Sequence, residues 1–116
     1  MSDVKITVGG SMEHDAARRF VDAWHRAERG ETFRQRHLAF ESWEALGRLL
    51  TDKRMELLRY VRQHDVTSVR ALANAVGRDY NSVHADVEAL TSAGLLDASD
   101  GGFRADYDSI EAKIEI

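Results

Sequence analysis

The chain has 116 residues, 43% of them hydrophobic and 31% charged, with a net charge of −4. That is the length of one domain with one modest core, and the composition of a globular rather than a disordered chain. Cysteine is absent, which excludes disulfides and thiolate metal sites; no apolar run is long enough to span a membrane and no basic-then-apolar leader opens the chain, so the expectation is a cytoplasmic protein with no membrane partner.

Val4-Lys5-Ile6-Thr7-Val8 alternates apolar and polar residues and predicts a short strand. Gly9-Gly10 breaks it, and Ser11 is placed to cap a long helix ending near Gly30. Ala17, Phe20, Val21, Trp24 and Ala27 form one face of that helix, while six arginines and five acidic residues decorate positions 11–36. Leu38-Ala39-Phe40 predicts a second short strand. Ser42 is set to cap a helix carrying Trp43, Leu46, Leu49 and Leu50. Thr51 or Asp52 caps the next, which buries Met55, Leu58 and Val61 and ends near His64.

Thr67 is placed to cap a short helix in which Leu72, Ala73 and Val76 share a face, the small Ala73 lying where two helices cross closely. Gly77 occupies the position after it that tolerates a left-handed backbone. Asp79 caps a further helix with Val83, Val87 and Leu90 at i, i+4 and i+7, and Ser92-Ala93-Gly94 closes it. Leu95-Leu96-Asp97-Ala98 and Phe103-Arg104-Ala105-Asp106-Tyr107 flank the turn Ser99-Asp100-Gly101-Gly102, in which Asp-Gly-Gly supplies the positive φ angles of a tight hairpin. Finally Ile110, Ala112, Ile114 and Ile116 alternate with Glu111, Lys113 and Glu115, which predicts a C-terminal strand.

The fold class expected from this order is α+β. A winged helix-turn-helix occupies residues 51–107, an N-terminal strand–helix extension occupies 1–50 as a dimerising or core-covering element, and a C-terminal strand occupies 108–116. An isolated strand at each chain end exposes an edge and is not stable alone. The two are expected to pair with each other, with Leu38–Phe40, or with the same strands of a second copy. A homodimer suits a helix-turn-helix chain, because two reading heads on a two-fold axis match a palindromic site.

With Leu72-Ala73, Gly77, Val83, Leu90 and Gly94-Leu95-Leu96 in frame, the chain resembles the MarR-like winged-helix transcriptional regulators. Leu49-Leu50-Thr51-Asp52-Lys53-Arg54-Met55-Glu56-Leu57-Leu58 looks like the helix that opens that domain. The pair Phe40-Glu41-Ser42-Trp43-Glu44-Ala45-Leu46 and Gly77-Arg78-Asp79-Tyr80-Asn81-Ser82-Val83-His84-Ala85-Asp86-Val87 is similar to a group of small predicted DNA-binding regulators of bacteria and archaea. The resemblance covers nearly the whole chain and implies a regulator that binds double-stranded DNA; some relatives are described as antidote-like, which implies a toxin as an alternative partner. One departure stands out: the position after His84, often basic in such helices, is Ala85, and Asp86 follows, so a phosphate or guanine contact is lost there.

The residues placed to meet DNA are Ser68 and Arg70 at the start of the first helix of the motif, Arg78 and Tyr80 at the entry to the second, Asn81, Ser82 and His84 on its outer face, and Arg104 on the wing. Each has a plainer reading: solvated arginines, a tyrosine packed over the turn, ordinary first-turn polar residues. From Thr67 to Tyr107 the only cations besides histidine are Arg70, Arg78 and Arg104, against Asp79, Asp86, Glu88, Asp97, Asp100 and Asp106, so affinity for DNA would rest on a few placed contacts and not on a broad field. No cofactor, metal or catalytic residue is assigned. His14, His25, His37, His64 and His84 lack metal-ligand spacing, no serine sits in a nucleophile elbow, and Gly9-Gly10-Ser11 reads as a hinge before a phosphate cradle. Phe20, Trp24 and Trp43 either line a small pocket or pack in the core. The expected function is a non-enzymatic, sequence-specific DNA-binding regulator, a repressor, with the recognition helix near residues 80–93 and the wing near 95–107; the rival is a winged-helix interaction module, an antidote or adaptor.

Overall fold

In chain order the elements are β1 (Asp3–Val8), β2 (Gln35–Phe40), α1 (Trp43–Leu49), α2 (Asp52–Gln63), α3 (Val69–Val76), α4 (Tyr80–Ser92), β3 (Asp97–Ser99), β4 (Gly102–Arg104) and β5 (Ser109–Ile114). They are taken from a computed structural model, which describes residues 3–9, 35–114 and 116. The fold is α+β, and the chain divides into two compact units: Met1–Leu46 with Tyr107–Ile116, and Gly47–Asp106. The long helix expected over residues 11–30, with its Phe20 and Trp24, lies outside the described residues, as do Gly10 and Ser11.

In the first unit, alternation in β1 buries Val4, Ile6 and Val8 and leaves Asp3, Lys5 and Thr7 half-buried on the opposite face. The strand is the centre of a three-stranded sheet of order β2-β1-β5, parallel on both sides. The terminal strands thus pair with each other inside one chain, and the strand foreseen at Leu38–Phe40 starts three residues earlier. Parallel neighbours require crossover connections, and residues 9–34 supply the one from β1 to β2. Register sets Val4, Ile6 and Val8 beside Ile110, Ala112 and Ile114, and Lys5 beside Glu111, with which it forms an ion pair. Ser109 Oγ donates to Asp3 Oδ1 at 2.9 Å along the same pair of strands.

Ser42 Oγ accepts the Ala45 N–H at 3.1 Å and starts α1 as expected. Leu46 is buried, but Trp43, expected in the core or a pocket, is 58% exposed. A helical side chain leans back over the preceding turn; Trp43 is the first residue of a seven-residue helix and has no such turn to cover.

The second unit is built on three capped helices. Thr51, not Asp52, caps α2, accepting the Arg54 N–H at 3.3 Å, and Leu57 joins Leu58 and Val61 as its buried residues while Met55 is half-buried. The cap of α3 is Ser68 and not Thr67: its Oγ accepts the Ala71 N–H at 3.0 Å. Leu72 and Ala73 of α3 are buried, with Val83, Val87 and Leu90 of α4. Gly77 ends α3 at φ 69°, ψ 35°, where Arg78 N–H reaches back to Ala73 O at 3.1 Å. Leu95 and Leu96 are buried before the hairpin begins.

In the hairpin, Ser99 pairs with Gly102, leaving a two-residue turn of Asp100 and Gly101. Of the residues expected to supply positive φ only Gly102 does, at 116°. It must be glycine for a second reason: a Cβ there would overlap Val66 O and stand 2.8 Å from Thr67 Cα. That close approach lets Phe103 N–H donate to Val66 O at 2.9 Å, so Val66 forms an antiparallel bridge beside β4 that the sequence reading did not anticipate.

Candidate functional site

Burying Val83, Val87 and Leu90 turns the other side of α4 outward, so Tyr80, Asn81, Ser82 and Ala85 are exposed and His84 is half-buried. Asp79 caps the helix, its carboxylate accepting the Ser82 N–H at 2.9 Å and the Ser82 hydroxyl at 2.8 Å. Those donors hold the Asp79 carboxyl below the usual carboxylate range. Ser82 therefore donates inward to its own cap and presents only acceptor lone pairs outward. The Asn81 side chain is exposed beside it.

Three of the expected residues come together. The Arg70 guanidinium lies 5.1 Å from the centre of the Tyr80 ring, and the Tyr80 and His84 rings are 5.7 Å apart and tilted by 31°. His84 Nε2 stands 3.7 Å from Glu88 Oε1 one turn on, an ion pair only when the imidazole carries a proton. The result is a small exposed ridge, aromatic and cationic, leading to Asn81. Val69, His84, Val87, Glu88, Thr91 and Phe103 line a cleft of about 430 Å³ along α4, with the Thr91 hydroxyl buried and without a protein partner.

Arg78 is sent elsewhere. Its Nη2 donates to Asp86 Oδ2 at 2.8 Å, and Arg54 Nε of α2 donates to Asp86 Oδ1 at 2.9 Å. All three side chains are at most 20% exposed. Burial alone would push the Asp86 carboxyl up, but the two guanidinium donors outweigh it and hold it below the usual range. Arg54 also donates through Nη1 to Arg48 O and Leu49 O at 3.2 and 3.0 Å. So Arg78 links the turn to α4 and α2, and Asp86 is an inward-facing node, not an acid on the outer face. Sequence reasoning assigned no such role to Asp86 or Arg54, and no local pattern joins residues 32 positions apart.

Ser68 keeps its hydroxyl hydrogen to donate, since as a cap its oxygen only accepts. Arg104 is 70% exposed on the hairpin, with Nε 3.4 Å from Asp106 Oδ2. Among the described residues no three histidines, aspartates or glutamates converge as a metal ion would need, and no described helix is long and apolar enough to cross a membrane. The arrangement offers hydrogen-bond donors and acceptors, one cation–aromatic stack and a glycine-tight hairpin.

No curated protein and no solved structure matches the chain. A family model does: it matches residues 49–112, from the end of α1 through the three capped helices and the hairpin into β5. Because that match spans more than half of its length, the chain belongs to the HVO_A0114 family.

Proposed function

We propose that the chain is a sequence-specific transcriptional regulator of the winged helix-turn-helix type, a cytoplasmic repressor that binds double-stranded DNA as a homodimer. The observation that carries this reading is the outer face of α4, where Tyr80, Asn81 and Ser82 stand exposed in the first turn opposite a fully apolar inner stripe. A recognition helix enters the major groove by that end. The order α2, Val66 bridge, α3, α4, β3–β4 supports the same assignment, with the hairpin as the wing. Asn81 offers both a donor and an acceptor to a base edge; Ser68, Arg70, Tyr80 and His84 suit phosphates, and Arg104 suits the flanking backbone. Arg78, tied to Asp86, acts as a positioning residue that holds the turn against α4.

The test is selection of genomic fragments at low salt, followed by titration of the selected site. Asn81→Ala should leave folding intact, since the side chain is exposed and alanine favours helix. It should cost about 1–3 kcal/mol at the preferred site and little on random DNA. Arg70→Ala should weaken both equally. If no fragment is enriched, or Asn81→Ala leaves discrimination unchanged, α4 is not a reading helix.

A second reading is favoured by the charge around α4. With Arg54 and Arg78 neutralised by Asp86, the remaining exposed acids Asp79, Glu88, Asp97 and Asp106 outnumber Arg70 and Arg104. That balance suits a protein-interaction module, an antidote or adaptor meeting a basic partner such as a toxin. It takes the lead if the chain selects no DNA and a partner instead protects Tyr80, His84 and Glu88 from solvent.

A further inference from the structure

β5 is the outer strand of its sheet, and among the described residues no strand pairs with its far side. Such an edge is a template for another strand. It is also apolar where it is bare: Ile114 and Ile116 are two of the four large hydrophobic side chains exposed among the described residues.

The strand that fits this edge can be read from β5 itself. When two copies of one strand pair antiparallel about a two-fold axis normal to the sheet, facing residues share a sheet face, so the axis must pass through a residue. With the axis at Ala112, Glu111 faces Lys113 of the second copy, Lys113 faces its Glu111, and Ile110 faces its Ile114. The charged rows then alternate in sign, because Glu111 already pairs with Lys5 of its own chain. Moving the axis one residue destroys this: at Glu111 two carboxylates meet, and at Lys113 two ammonium groups meet. The opposite edge has no equivalent, since Gln35–Phe40 carries Arg36 but no acid to face it.

We infer that β5 is the seam of a homodimer, in which a second copy of this chain adds its own β5 antiparallel about Ala112 and two three-stranded sheets become one of six strands. This deepens the homodimer proposed above by naming its contact and register, and it requires no DNA. The pairing is isologous and closed, whereas β5 against β2 of another copy would run on without end.

The test uses the full chain and no nucleic acid. Lys113→Glu sets carboxylates face to face in both charged rows, and Glu111→Lys sets ammonium groups face to face. Each alone should raise the dimer dissociation constant about tenfold or more in sedimentation equilibrium. Mixed one to one, the two variants should form a heterodimer about as tight as the wild-type dimer, because all facing charges are again opposite; that rescue also shows that each variant folds. In the cysteine-free background, Ala112→Cys should cross-link to itself on oxidation while His37→Cys on β2 should not. The seam is overturned if the wild-type chain stays monomeric at millimolar concentration, if the mixture binds no tighter than either variant alone, if His37→Cys cross-links as readily as Ala112→Cys, or if the chain forms open-ended assemblies. Loss of DNA selection with the seam intact would count against the proposed function alone.

Discussion

Asp86 shows what one carboxylate does when two guanidiniums reach it. Its hydrogen bonds to Arg54 and Arg78 lower its pKa in the folded state, so its contribution to stability is fully present above the unfolded value of about 3.9 and disappears as pH falls through the folded one. Asp79 titrates in the same direction through the Ser82 donors. Melting curves should therefore be flat near neutrality and fall below about pH 4. Asp86→Asn should cost roughly 2 kcal/mol at pH 7, leaving two cations near one neutral amide, and should flatten part of that acid limb. An unchanged acid limb in the variant would remove the ion triad as its cause. Arg78 looked in the sequence like a DNA contact because it opens the second helix of the motif; only the packing of α2 against α4 brings Asp86 and Arg54 to it. Ser68 and Thr67 are two hydroxyls side by side, and either can cap; backbone geometry chose the second.

At the scale of elements, α2, α3, α4 and the hairpin were legible because each carries a local signal: Thr51, Asp79 and Gly77 at ends, Val83-Val87-Leu90 and Leu72-Ala73 as faces. What lacked a local signal was the bridge from Val66 to Phe103, which depends on two segments meeting across the whole of α3 and α4. Gly102 records that meeting. Gly102→Ala should destabilise the chain by at least about 2 kcal/mol, through positive φ and collision with the Val66 carbonyl, and should loosen Phe103 first. Gly101→Ala, with only Ser99 Oγ at 4.0 Å and no positive φ, should stay within about 0.5 kcal/mol of the wild type. Chemical denaturation of the pair distinguishes a tight crossing from a general intolerance of the turn. The exposed face of α4 was legible for the same reason as its buried one, whereas the Arg70–Tyr80–His84 ridge needed α3 and α4 placed together.

For the whole molecule, length suggested a single domain, yet the chain holds two compact units, one continuous and one assembled from both ends. Strand periodicity identified β1 and β5 but could not say which strands they would pair with, because period-two alternation is blind to partner and direction. Pairs more than 100 residues apart, such as Lys5 with Glu111, close late, since loop closure precedes their reward. In refolding followed by pulsed hydrogen exchange, the amides of Leu57, Leu72 and Leu90 should gain protection before those of Val4, Ile6 and Val8. Simultaneous protection would mean that the two units fold as one.

The parallel neighbours of β1 carry a consequence for synthesis on the ribosome. β1 is translated first and its partner β5 more than 100 residues later, so at about 5–20 residues per second the nascent chain spends several seconds with one rim of a Val-Ile-Val strand bare. Residues 47–106 can complete their own core during that interval. The vulnerable period belongs to the first strand made, and growth temperature or translation rate should govern yield through it more than through any later segment.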